Sequence, residues 1–163
     1  MILDISELPL EICEKIVYFM YTYTFKDSNE LRNAVDNYPN NIDKYGNISY
    51  WDVSSITDMS SLFYESNFNG DISNWDVHNV NNMANMFYYS TFNSDISNWD
   101  VSNVNNMVYM FYKSLFNGNI SKWDVRNVKD MYYILSGSRF NEEMYKWNVR
   151  NRGNLNSRIY ITS

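Results

Sequence analysis

Five tryptophans, Trp51, Trp75, Trp99, Trp123 and Trp147, follow one another at intervals of 24 residues without insertion or deletion. The same interval carries further columns. Ile48, Ile72, Ile96, Ile120 and Met144 precede each Trp by three, and Val53, Val77, Val101, Val125 and Val149 follow it by two. Then come Ile56, Val80, Val104 and Val128, and after them Met59, Met83, Met107 and Met131. The doublets Leu62-Phe63, Met86-Phe87, Met110-Phe111 and Ile134-Leu135 lead to Phe68, Phe92, Phe116 and Phe140. One such unit cannot bury its own apolar stripe, so units in tandem must stack on each other to make a core.

Trp and Val two apart give the alternation of a short strand with both side chains inward, and Met followed by a doublet gives one face of a short helix. Asp58, Asn82, Asn106 and Asp130 stand where a helix N-cap belongs. The expected fold is therefore an α+β repeat, a leucine-rich-repeat-like solenoid of short parallel strands and short helices with an N-terminal helical cap. A propeller is excluded, because a four-stranded blade takes about 40–45 residues.

The unit Phe68–Phe87, F-N-G-D-I-S-N-W-D-V-H-N-V-N-N-M-A-N-M-F, resembles the BspA-like leucine-rich-repeat surface-protein family, in the branch with a W-D-V-S-N-V-T-x-M repeat of about 25 residues. Residues 25–47, including Asn29–Asp36 and Tyr45-Gly46-Asn47, are similar to the helical lead-in of those repeats. The resemblance implies an adhesion or interaction module with no catalytic residues attached to the repeat. It divides the chain into an N-terminal helix (1–24), the lead-in (25–47), the repeats (48–151) and a tail (152–163).

The first segment offers two readings. Leu8, Pro9, Ile12 and Ile16 lie on an amphipathic helix that would cap the stack. Within residues 5–20, Leu8-Pro9-Leu10-Glu11-Ile12 with Ile16 also resembles the opening of an F-box. That resemblance implies docking to a Skp-type adaptor of a cullin ubiquitin ligase. At the other end the pattern decays after Val149, with Arg152 and Arg158 at apolar columns.

Charge is uneven along the chain. Residues 1–112 carry 4 basic and 15 acidic side chains (−11) and residues 113–163 carry 9 and 4 (+5), which sum to −6. A net-acidic chain without basic–aromatic interleaving argues against nucleic acid as a partner. No run approaches the roughly 18 apolar residues of a membrane span, and the acidic N-terminus is unlike a signal peptide. The expectation is an intracellular protein, with a virion or surface location as the other reading. Self-association stays open.

No motif calls for a cofactor or a metal. Cys13 is the one cysteine, so no multi-thiolate zinc site can form, and it is read as a small packed residue; His78, the one histidine, is read as a solvent-facing strand residue. The Asp52, Asp76, Asp100 and Asp124 column is read as Asx turns onto the following backbone, with a calcium-binding row as the alternative. Asn79, Asn103 and Asn127 suggest an internal asparagine ladder. The outward positions Lys122, Arg126, Lys146 and Arg150 form the candidate patch for an acidic partner. The expected function is a non-enzymatic protein–protein interaction scaffold binding an unidentified protein. The alternatives are an F-box-like substrate receptor and a structural or adhesion component of a cell surface or virion.

Overall fold

The computed structural model describes residues 9–13 and 22–140. Its lead-in begins with Thr24 alongside Asp52, where the Phe25 N–H donates to the Asp52 carbonyl at 3.0 Å and the Asp52 N–H to that of Tyr23 at 2.9 Å. Helix α1 (Ser28–Asp36) starts where the Asp27 carboxylate accepts the N–H groups of Asn29 and Glu30, both at 2.9 Å, satisfying two orphan donors of its first turn. It buries Leu31 and Ala34. A second short helix, α2 (Ile42–Tyr45), and a 3₁₀ turn (Ile48–Tyr50) lead into the repeats. Phe25, Tyr38 and Tyr45 close around the Trp51 ring at 4.8, 5.8 and 5.9 Å, covering the first end of the tryptophan column.

From Trp51 onward the 24-residue units lie one on another. Trp51, Trp75, Trp99 and Trp123 are buried, as are Met59, Met83, Met107 and Met131. The rings of Phe63 and Phe87 stack at 5.4 Å with parallel planes, and Phe87 repeats this on Phe111. Phe68, Phe92, Phe116 and Phe140 make a second ladder at 6.3 Å per step. A fully buried Phe or Trp contributes up to about 5 kcal/mol through its ~200 Å² of apolar area. These columns are therefore the main source of cohesion.

The expected strands and helices of the repeat do not form. Among the described residues there is no strand, hence no sheet, and the regular elements are short helical segments at residues 10–13, in the lead-in and at the Ile48–Tyr50 turn that opens the first unit. This overturns the solenoid with parallel strands. Around the tryptophans, Trp51 and Val53 do face inward, but the backbone curls instead of running extended. The N–H of Trp75 bonds back to Ile72, that of Val80 to Val77, and Trp99 and Val104 repeat the pattern. Between these turns, the Asp that follows each Trp takes the next free N–H onto its carboxylate.

The Met-to-Phe segment fails to become a helix for a different reason. Its N–H groups alternate in destination. Met59, Ser61, Phe63 and Glu65 donate outward to the carbonyls of Asn82, Ala84, Met86 and Tyr88 in the next unit, while Leu62, Tyr64 and Ser66 donate three residues back. Neither an i−4 helical ladder nor a strand can be made from half of the donors. Ser61 and Glu65 adopt φ of 57° and 50°, and the following units repeat this at Asn85, Tyr89, Tyr109, Lys113 and Tyr133. What remains of a sheet is a single parallel bridge per step, Asp58 to Asn82 to Asn106 to Asp130.

Of the N-terminal helix read for residues 1–24, only residues 9–13 and 22–24 are described. Pro9, Leu10 and Ile12 are exposed, Leu10 by 75%, and the stack's first end is covered by Tyr23, Phe25, Tyr38 and Tyr45. Leu8 and Ile16 lie outside the described residues.

Candidate functional site

The basic patch is only partly visible. Lys122 and Arg126 are exposed, whereas Lys146 and Arg150, like Trp147, lie outside the described residues. Arg126 is already engaged by its neighbour two residues back. Its Nε and Nη2 reach the two carboxylate oxygens of Asp124 at 2.7 and 2.5 Å, which raises the guanidinium pKa still further. His78 Nδ1 meets Asp76 at 2.7 Å in the same i, i+2 manner. Arg126 therefore presents a neutralised pair to solvent.

The aspartate column makes Asx turns. Asp52, Asp76, Asp100 and Asp124 accept the N–H of the residue two on, at 3.0–3.2 Å. Asp71 and Asp95 do the same for Ser73 and Ser97, and Asn47 and Asn119 hold the equivalent turn with an amide. Since an uncharged side chain serves equally, the geometry is that of a turn. Among the described residues no group of three or more His, Cys, Asp or Glu is placed to hold a metal ion. The Nδ2 groups of Asn79, Asn103 and Asn127 donate to the carbonyls of Ser54, His78 and Ser102 one unit back, at 2.7–2.8 Å, forming an asparagine ladder.

A surface that the sequence reading passed over lies on the Met-to-Phe side. Tyr64 and Tyr88 stack at 4.8 Å with planes 3° apart, and Tyr88 continues onto Tyr112 at 5.1 Å. Beside them Tyr109 stacks on Tyr133 at 5.2 Å, and Tyr112 sets its edge against Tyr109 at 5.3 Å. Tyr89 joins Tyr88 and Tyr112, and Tyr132 flanks Tyr133. Tyr64, Tyr89 and Tyr132 remain 46%, 45% and 37% exposed. The signal was present at the repeat interval in Tyr64, Tyr88 and Tyr112, and again in Tyr109 and Tyr133.

The geometry limits what this face can take. Rings in the two columns cover each other's faces, so a sugar or nucleobase finds a free π-face only at the ladder's ends. The outward surface is ring edge and hydroxyl, which suits carbonyl and carboxylate acceptors and apolar side chains. Lys113 adds the positive charge, its ammonium 5.1 Å from the Tyr89 ring and 5.5 Å from that of Tyr112. A hydrogen bond to Tyr89 and the neighbouring phenols raise its pKa. Glu65 occupies the equivalent position at the other end of the same column, so the face changes sign along the stack.

No curated protein and no solved structure matches the chain significantly. A family model does, over residues 23–147 and again over 112–162, a span that includes the lead-in and every described unit. The chain thus belongs to the DUF285 family, described as Mycoplasma protein of unknown function.

Proposed function

We propose that this chain is a non-enzymatic protein–protein interaction module whose partner seats on the tyrosine ladder. The observation that carries the reading is the exposure of Tyr64, Tyr89 and Tyr132 around stacked, pre-ordered rings with one cation, Lys113, among them. Tyrosine gives large contact area at low entropic cost, and rings already held by their neighbours lose little freedom on binding. The resemblance to the BspA-like family, whose repeats are regarded as adhesion or interaction modules, supports the same reading. The test compares affinity capture by the parent chain with capture by a Tyr64→Ser, Tyr89→Ser, Tyr132→Ser variant checked for cooperative thermal unfolding. A folded variant should lose the captured protein. Equal capture by both would remove the tyrosine face as the binding surface.

A second reading, an F-box-like substrate receptor, is favoured by one feature. Leu10 and Ile12 project from the helical turn at residues 10–13 with 75% and 44% exposure, as a docking motif requires and a cap does not. Direct binding of a purified Skp-type adaptor, abolished by Leu10→Asp and Ile12→Asp, would establish it. A parent chain that binds no adaptor would dismiss it.

A further inference from the structure

The tyrosine face contains two kinds of ring contact. Along the stack the rings lie parallel. Tyr64 sits on Tyr88 at 4.8 Å with planes 3° apart, Tyr109 on Tyr133 at 5.2 Å and 5°, and Tyr88 on Tyr112 at 5.1 Å and 20°. Across the face the rings meet edge on, Tyr89 with Tyr112 at 5.8 Å and 61°, Tyr109 with Tyr112 at 5.3 Å and 88°. The parallel contacts follow from the repeat, since the members of each such pair stand 24 residues apart in sequence. Equivalent positions have equivalent backbone, and so send their side chains the same way. The N–H groups of Tyr64 and Tyr88 both donate three residues back, and Tyr109 and Tyr133 share φ of 55° and 53°.

That difference decides which pairs can form a bond. A phenol that gives up one electron and one proton becomes a phenoxyl radical, with unpaired density on the carbons ortho to its oxygen. This density lies in π lobes perpendicular to the ring, so two such radicals couple through their faces. Parallel stacked rings present these lobes to each other, whereas an edge-on pair sets a lobe against a C–H edge. Rings already held in that geometry replace a diffusional encounter by an intramolecular step. Tyr64 is 46% exposed, so an oxidant at the surface reaches the first ring of the column. Tyr88, Tyr109 and Tyr133 are half-buried against the stack.

We infer that the tyrosine face is an oxidative cross-linking site, at which a haem peroxidase with hydrogen peroxide joins stacked tyrosines of adjacent units, Tyr64 to Tyr88 and Tyr109 to Tyr133 foremost. The peroxide takes one electron and one proton from each phenol of a pair and is reduced to two molecules of water. The two ortho carbons then bond. The hydrogen that each of them carried moves to its own ring's oxygen, which restores both aromatic rings. Each such bond ties one unit covalently to the next, and it forms without any partner seated on the face.

The test treats the full chain with a haem peroxidase and hydrogen peroxide and follows dityrosine fluorescence. Denaturing electrophoresis separates single chains from linked ones. Single chains should carry the fluorescence, with a yield per chain that does not fall on dilution. Asp71 and Asp76 lie between Tyr64 and Tyr88, and Asp124 and Asp130 between Tyr109 and Tyr133. Cleavage at aspartate therefore parts these rings unless a new bond holds them. Mass spectrometry should find both pairs joined, each lighter by two hydrogen atoms, with fragment spectra assigning the tyrosines. Tyr64→Phe should abolish the first link and leave the second, and Tyr109→Phe should do the reverse, because Phe keeps the ring but forms no phenoxyl radical. Tyr89 separates stacking from exposure. It is 45% exposed, close to Tyr64, yet it meets Tyr112 edge on, so no Tyr89–Tyr112 product should accumulate. Dityrosine formed only between chains, or a Tyr89–Tyr112 link as abundant as the other two, would overturn the inference. So would an absence of dityrosine in the oxidised chain.

Discussion

The indole N–H of Trp99 donates to the carbonyl of Ile72, 3.1 Å away in the preceding unit, with both residues sealed in the core. Trp75 does the same to Ile48 and Trp123 to Ile96. The tryptophan column is thus both packing and the hydrogen bond that registers one unit on the next. Trp99→Phe keeps an aromatic ring but leaves the Ile72 carbonyl buried without its donor. It should cost about 1–3 kcal/mol from the lost bond, with a further penalty for the smaller ring. The urea midpoint followed by circular dichroism measures this, and an unchanged midpoint would show that the bond does not hold the register.

Asn103 offers a second handle on register at the surface. Its Nδ2 donates to the His78 carbonyl at 2.7 Å. Asn103→Ala should cost about 0.5–1.5 kcal/mol. Asn103→Asp should cost more at neutral pH, because it sets a carboxylate against a carbonyl, and acidification should recover part of the loss by restoring a donor. If the Asp variant tracked the Ala variant at every pH, the ladder would carry no weight there.

Acid should loosen the Asx turns. The Ser73 and Ser97 N–H groups hold the carboxyls of Asp71 and Asp95 below the ordinary carboxylate value, and the Ser102 side chain and N–H do so for Asp100. A folded-state pKa below the unfolded one contributes stability above the unfolded value and loses it as pH falls through the folded value. Unfolding midpoints should therefore drop from about pH 4 downward. Replacing all three with Asn should flatten that limb while keeping the turns, as Asn47 and Asn119 already do. A triple variant with the same acid limb would assign it to other groups.

Arg32 is the hook between lead-in and repeat, reaching Ser60 Oγ at 3.1 Å, the Ser60 carbonyl and the Asp58 carboxylate. Arg32→Met keeps the aliphatic stem and removes these bonds. The expected cost is about 1–2 kcal/mol, at the lower end because the ion pair is half exposed. Hydrogen exchange should show the opening confined to α1 and the first unit. Uniform loss of protection along the whole stack would instead make the lead-in part of one cooperative block.

Much of the interior was legible in the chain. Trp, Val, Met and Phe recur at one interval, and repetition converts directly into columns because identical units have identical apolar stripes to hide. The Asx turns and asparagine ladder were readable for a similar reason, since Asp and Asn recur where a free backbone group recurs. The tyrosine face was less legible. Tyr88 and Tyr89 stand beside recurring apolar core positions, and only their placement on neighbouring rungs turns scattered tyrosines into one surface. One member of the basic patch, Arg126, proved to be held in a pair with Asp124, because that bond depends on how the turn brings positions two apart together.

The sequence by itself determined the period, the inward-facing side chains and the aromatic cohesion of the stack. Only the tertiary structure decided the backbone. Trp51 and Val53 alternate like a strand, and Met59, Leu62 and Phe63 are spaced like a helix, yet neither element forms. Side-chain periodicity reports which groups leave water, whereas secondary structure depends on where each N–H finds its acceptor. Here those acceptors are split between the same unit and its neighbour, a choice that exists only once the units are stacked.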